Sequence, residues 1–293
     1  MQRGVIASLA ASVLFGVLFF LPSLTAPLDG NSIFAGRIFI TLPLVVAALL
    51  LGGRGTELRQ MLQRVHRRPI LALVLTCNGL LLGVQLWIFA WAPVSGHGLD
   101  VALGYLLLPL IMVVVGRVIH REHLPRLRVA AVTAAAIGVI SAIVLAGGIS
   151  PATVVVALGY PIYFELRARF QVNTPGALAL ELATLVPVAI VLASLQPWPT
   201  TGTTQLVIGL LTIGLVSAAA LLLYLRASEL LPFGLFGLLT YVEPVLLAVV
   251  SITILGESLT PVDLLTYGPI AVALCLLGIE NATARRFPVA SPG

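Results

Sequence analysis

The sequence predicts an all-α integral membrane protein of ten transmembrane helices, arranged as two inverted five-helix repeats. Three observations lead there. Of 293 residues, 59% are apolar and only 9% are charged, with a strongly positive mean hydropathy. An ordinary globular domain carries about a quarter charged residues, so this chain has too few to cover a surface in water. Second, Pro, Gly and charged residues divide the chain into ten apolar runs, most near the roughly 20 residues that a helix needs to cross the hydrocarbon. Third, the Arg residues fall in alternate loops, as ten crossings require. Together these exclude a cytosolic enzyme, a secreted disulfide scaffold and a disordered chain. They leave no room for a sizeable soluble domain.

The runs cover about residues 4–22, 32–52, 70–91, 101–119, 129–147, 151–166, 177–195, 205–226, 232–254 and 263–280. None shows the period-two alternation of a membrane barrel, so each is a helix. The first follows Arg3, is too long for the core of a signal peptide and is followed by further runs, so it is a span. The second holds Arg37. The third carries Trp87 and Trp91, which share a face at i and i+4. The fourth holds Pro109 and leads into a turn with Glu122 and Pro125. The fifth is rich in small residues. The sixth is short and is interrupted by Pro161 after Gly159 and Tyr160, a pattern that points to a binding site, and its partner, span one, has Phe15 and Gly16 in its middle. The seventh has Glu181 about one turn in, where a carboxylate suits the helix dipole. The ninth carries Tyr241, Glu243 and Pro244. Thr260-Pro261-Val262-Asp263 reads as a capping box that opens the tenth.

All 16 basic residues are Arg. With the N-terminus in the cytoplasm, 15 of them lie at inward loops and Arg37 lies within a span, while the outward charges are Asp29, Asp100, Glu257 and Asp263. The positive-inside rule therefore predicts a multi-pass protein of the bacterial inner (plasma) membrane with both termini cytoplasmic. The net charge of +5 is a topology signal, and no nucleic-acid partner is expected. Cys77 and Cys275 sit inside apolar runs and imply neither a disulfide nor a metal site. There is no P-loop, HExxH or paired-Cys motif, and no cofactor is expected. His120 and His123 share a solvated loop with Arg117, Arg121 and Glu122.

Laid over itself at one constant offset, without a gap, the chain brings Pro109 onto Pro244, Glu122 onto Glu257, Ala92 onto Ala227 and Phe89 onto Tyr224. Tyr105 and Tyr241 match with a slip of one position. Residues 1–147 and 148–293 thus read as two repeats of five spans. An odd number of spans inverts the second, which is a transporter architecture with its site near the midplane.

The segment from Tyr241-Val242-Glu243-Pro244-Val245 through Leu255-Gly256-Glu257-Ser258-Leu259-Thr260 resembles the signature of EamA-type domains in the drug/metabolite transporter superfamily. The first half is similar to the RarD subgroup: Phe89-Ala90-Trp91-Ala92, then Leu103-Gly104-Tyr105 and Pro109, with Arg37 in span two. It departs from that subgroup at Leu108, Gln85, Asp100 and Glu243. The resemblance covers essentially the whole chain. It implies ten spans, a path between the halves, and peripheral fifth and tenth helices.

The candidate substrate-binding residues are Arg37, Trp87, Tyr105, Tyr160, Tyr241 and Glu243. An Arg within a span is costly to bury, so Arg37 either snorkels or faces a cavity. Glu243, next to a proline that weakens the helix, should be protonated, paired or wet. Glu122 and Glu257 read as structural turns. The expected function is secondary transport of a small metabolite or drug-like molecule by alternating access, with export favoured and proton coupling open. The alternative is a membrane scaffold or an embedded enzyme. The expected partners are a small-molecule substrate and the lipid bilayer.

Overall fold

Proline and short polar side chains set where several helices begin. Asp29 Oδ1 accepts the Ser32 amide at 2.9 Å, Ser150 Oγ accepts that of Thr153 at 3.2 Å, and Thr174 Oγ1 accepts that of Ala177 at 3.3 Å. Pro151 and Pro175 directly follow two of these caps, where a missing amide costs nothing. The computed structural model describes residues 2–95, 97–195, 202–243 and 263–286, which form helices joined by turns, with no strand among them. The helices are α1 (Gln2–Phe20), α2 (Gly30–Leu51), α3 (Gly55–Arg67), α4 (Ile70–Ser95), α5 (Gly98–Val118), α6 (Arg126–Leu145), α7 (Pro151–Arg169), α8 (Pro175–Thr184), α9 (Val186–Ser194), α10 (Thr203–Leu230), α11 (Phe233–Leu239) and α12 (Asp263–Arg286). A 3-10 turn, Leu21–Thr25, joins α1 to α2.

Seven stretches are long and apolar enough to cross a bilayer: α1, α2, α4, α5, α6, α8 with α9, and α10. This is an integral membrane protein. Many large apolar side chains, among them Leu51, Ile137, Ile140, Val144 and Leu215, point outward, as lipid-facing surfaces do.

Several elements differ from the sequence expectation. Span seven is two helices, broken at Leu185 just before Pro187, which lacks the amide needed to continue. The sixth helix is longer than expected and runs to Arg169. The basic segment after α2, expected as a loop, is α3. Leu58, Met61 and Val65 form its apolar stripe, with Met61 buried against Leu71, Leu75, Val172 and Ala177. Arg64 ties it to the α7–α8 connection, donating to the carbonyls of Gln171 at 2.8 Å and Phe170 at 3.2 Å. The second half of the expected ninth span and the Glu257–Pro261 turn lie outside the described residues.

The most extensive packing joins α1 to α10 and α6 to α12, followed by α5 with α7, α2 with α10, and α5 with α11. α2 also packs on α9, and α4 on both α7 and α8. Small buried residues of α1, namely Ala7, Ser8, Ala11 and Ser12, allow the close helix approach that drives packing within lipid. At Gly159 the lack of a Cβ admits the amide of Gln85, whose Nε2 donates to the Val155 carbonyl at 2.9 Å and links α4 to α7.

Candidate binding cavity

Six helices, α1, α4, α5, α7, α10 and α11 with its continuation, surround a narrow cavity with room for about one water molecule. Its lining is Phe15, Phe89, Tyr105, Leu108, Tyr160, Tyr224, Thr240 and Glu243. None of these comes from α6 or α12. Six of the eight form three pairs at one constant sequence offset: Phe89 with Tyr224, Tyr105 with Thr240, and Leu108 with Glu243.

The aromatic wall is a continuous chain of edge-to-face contacts. Tyr105 meets Phe89 at 5.7 Å between ring centroids, Phe89 meets Phe15 at 6.1 Å, Phe15 meets Tyr224 at 5.4 Å and Tyr224 meets Tyr160 at 5.7 Å. Consecutive planes are turned by 63–86°. Edge-to-face geometry satisfies the ring quadrupoles.

Glu243 enters this wall because α11 ends just before it. After Leu239 the chain tightens into turns of i to i+3 bonds: the amides of Thr240, Tyr241 and Glu243 donate to the carbonyls of Gly237, Leu238 and Thr240. The carboxylate is 7% exposed and has no hydrogen-bond or ion-pair partner among the described residues.

Arg37, 1% exposed, is not among the lining residues but adjoins one of them. Its Nε donates to Ser217 Oγ on α10 at 2.8 Å and its Nη1 approaches the Leu86 carbonyl on α4 at 3.4 Å. The guanidinium lies 5.8 Å from the centroid of Phe89, and Nη2 has no partner among the described residues. No ion pair joins it to Glu243 among them. Of the other candidates, Tyr105 and Tyr160 line the cavity. Tyr241 is fully buried outside the lining, with its hydroxyl unpartnered among the described residues. Trp87 faces a different pocket at the end of the bundle that carries the α1–α2 turn. There it stacks on Trp91 at 5.4 Å and donates to Asn31 Oδ1 at 2.8 Å.

The sequence reading missed one charged cluster. Arg167 and Glu181, both 0% exposed, form an ion pair near the α3 end of the bundle. Tyr163 donates to Glu181 Oε2 at 2.8 Å and accepts from Arg167 at 2.8 Å. Asn78 Nδ2 donates to Glu181 Oε1 at 3.3 Å, and Arg167 Nη2 reaches the Thr174 carbonyl at 2.9 Å. Asn78, a polar residue inside an apolar run, was the signal that could have pointed to it. The cluster connects to the cavity through the Tyr163–Tyr160 ring contact at 6.4 Å. Glu122, expected in a turn, reaches further: its Oε2 accepts the Gly234 amide at 3.0 Å and so caps α11.

Among the described residues no cluster of His, Cys, Asp and Glu could hold a metal. The cavity offers one free carboxylate, three phenols and a threonine hydroxyl within an apolar wall, a set suited to binding a small molecule.

No family model matches the chain. It is 39% identical over 289 residues to the chloramphenicol-sensitive protein RarD of Pseudomonas aeruginosa, covering 97% of this chain and 96% of that one. It is 42% identical over 262 residues to an uncharacterized transporter of Pasteurella multocida, covering 88% and 89%, and 38% identical over 283 residues to one of Haemophilus influenzae, covering 96% and 95%. A crystal structure with 18% identity matches at a TM-score of 0.69 over 94% of this chain and 98% of that one, which shows a common fold.

Proposed function

The chain belongs to the RarD-like family of bacterial membrane transporters, and from that membership we propose that it carries a small metabolite or drug-like molecule outward across the inner membrane by alternating access at the cavity around Glu243. Residues 1–147 and 148–293 act as inverted repeats of five spans each, with both termini in the cytoplasm. The observation that carries this reading is the convergence on one cavity of three residue pairs that share a single sequence offset. Repeats that share a midplane site are the usual basis of rocking transport.

The helix contacts support it. Exchange of the halves turns the α1–α10 contact into α7–α4 and α2–α10 into α8–α4, while α6–α12, α5–α11 and α2–α9 map onto themselves. The polar contacts follow the same exchange: Arg37 of α2 bonds Ser217 of α10, and Glu181 of α8 bonds Asn78 of α4.

In this reading Glu243 takes a proton or a substrate hydrogen bond as the site reorients. Arg37 supplies positive charge from beside Phe89. Tyr105, Tyr160 and Tyr241 shape the path, and Trp87 lines an approach to it. Purified protein in liposomes, screened with a metabolite and drug panel with and without a pH gradient, tests the function. Movement of at least one compound, lost in Glu243→Gln at equal incorporation, is expected. Transport indifferent to every substitution in the cavity wall would move the site elsewhere.

A further inference from the structure

On the lipid side of the bundle lies a slot with two unlike halves. One is an apolar groove between α2, α4 and α9, about 220 Å³ in volume, walled by Phe34, Leu80, Val84, Val188 and Leu192 among others. The other is a pocket of about 450 Å³ at the end of the bundle that carries the α1–α2 turn, with Asp29, Trp91 and Ser95 in its wall. Asn31 and Trp87 belong to both walls, so groove and pocket adjoin. We propose that this slot binds one phospholipid with an ammonium headgroup, of the phosphatidylethanolamine type, its acyl chain in the groove and its headgroup beside Asp29. Such a site needs only that the helices span the bilayer, and it is independent of what passes through the central cavity.

The groove faces hydrocarbon. Leu80, Val84 and Val188 are 38–47% exposed, and all three lie in stretches apolar enough to cross a bilayer. The pocket marks headgroup level. Trp87 places its ring in the groove wall while its Nε1 donates to Asn31 Oδ1 at 2.8 Å, the arrangement of an indole at a membrane interface. Its volume falls within the roughly 300–1,000 Å³ of small-molecule sites, unlike the water-sized space at Glu243. A tail-lined groove that shares its wall with a polar pocket matches a ligand whose own tail and head are joined.

The headgroup follows from the charge. Asp29 is the one charged side chain in the two linings. One of its oxygens accepts the Ser32 amide at 2.9 Å, and the other is left for a donor. The start of α2, which would otherwise suit a phosphate, is thereby already taken by a carboxylate. His97 stacks on Trp91 at 4.5 Å between centroids and is not in the lining. In the orientation proposed above the pocket lies in the outer leaflet, and none of the 16 Arg residues falls in an outward loop. An ammonium thus meets Asp29 without competition. Asn31, whose oxygen is spent on Trp87, keeps its amide nitrogen to donate to the lipid phosphate. A headgroup with net negative charge would meet Asp29 with no cation in the wall to offset it.

The two tryptophans supply the readout. The chain has three, so Trp198→Phe leaves Trp87 and Trp91 as the emitters. Phosphatidylethanolamine with brominated chains, titrated into this variant in detergent, should quench the emission saturably. Unbrominated phosphatidylethanolamine should restore it, and unbrominated phosphatidylglycerol should need roughly fivefold more to do so. Asp29→Asn keeps the helix cap and should bring the two competitors within about twofold of each other. Val188→Phe, which fills the groove, should weaken both lipids several-fold, and the distant lipid-facing Val144→Ala should bind as wild type. Quenching that does not saturate or that unbrominated lipid does not reverse would mean ordinary bilayer contact and would overturn the site. Equal competition by the two lipids in the parent, or a preference that survives Asp29→Asn, would overturn the headgroup assignment.

Discussion

Leu108 and Glu243, related by the same sequence offset as Phe89 and Tyr224, line one cavity, yet one is apolar and the other a carboxylate. In the sequence each stands directly before a proline. The wall is therefore paired in position and unpaired in charge, and its one charge comes from the second half.

Under the proposed function that asymmetry is a functional element held at the expense of stability. An unpartnered buried polar group costs about 1–3 kcal/mol, and more when charged. Glu243→Leu should keep or raise the thermal midpoint in detergent and abolish transport. Glu243→Gln, nearly the same in shape, should also lose transport while inserting normally. Wild-type transport by either variant at matched membrane levels would remove this carboxylate from the mechanism.

The Arg167–Glu181 pair makes the opposite prediction. It is fully buried, and Tyr163, Asn78 and the Thr174 carbonyl satisfy it further. Removal of one partner of such a pair costs about 3–5 kcal/mol, because the other charge is left alone. Glu181→Ala and Arg167→Met should each lower thermal stability strongly, and the double variant should lose less than the sum of the two. Additive losses would show that the two charges are not coupled.

The contrast between these carboxylates shows what the sequence could reveal. Glu243 was legible as a candidate because a carboxylate beside a proline deep in an apolar run should be protonated, paired or wet. The constant offset between the halves exposed the Phe89–Tyr224 and Pro109–Pro244 correspondences, and with the second the positions of Leu108 and Glu243. Glu181 was not legible, since a carboxylate near a helix start has an ordinary dipole explanation and Arg167 counted among the loop cations. Their meeting depends on how the α7–α8 connection folds back. The same holds for α3: its Arg residues set topology, and its narrow stripe of Leu58, Met61 and Val65 becomes visible only against α4 and α8. Trp87 had an assigned face but no assigned neighbour, and its bond to Asn31 turns it toward the end of the bundle.

Arg37 is a test of shape as well as of charge. Its planar head bonds Ser217, approaches Leu86 and lies over Phe89, a combination that an ammonium cannot reproduce. Arg37→Lys should insert but lose transport roughly tenfold or more, in line with the loss of a charged hydrogen bond of about 1.5–3 kcal/mol. Arg37→Gln should do the same. Full activity of the Lys variant would reduce the role of this residue to its charge.

Glu122 joins the α5–α6 connection to the start of α11 through the Gly234 amide. His120 of the same loop meets Glu165 at 2.7 Å and stacks on Phe233. Loss of a helix cap costs about 1 kcal/mol, so Glu122→Ala should lower the thermal midpoint modestly, and Glu122→Gln, which keeps an acceptor, should lower it less. A cysteine placed at Val113, whose backbone adjoins Gly234, should label faster in Glu122→Ala if the contact closes this end. Equal labelling in the two backgrounds would leave the cap a purely local one.

Topology gives the last prediction, and it separates the two ends of α2. Asp29 caps its start. Beyond its other end lies α3, whose Arg64 holds the Phe170 and Gln171 carbonyls. In an orientation with both termini in the cytoplasm, α3 lies at the inner surface, where basic side chains meet anionic headgroups. Cys77 and Cys275 are both exposed on the bundle and are replaced first. A cysteine at Asp29 should then react with a membrane-impermeant maleimide in intact cells, and one at Arg64 only after permeabilisation. The reverse pattern would invert the protein in the membrane, and with it the direction of every step proposed above. Reaction at both positions in intact cells would mean that α2 does not cross the bilayer.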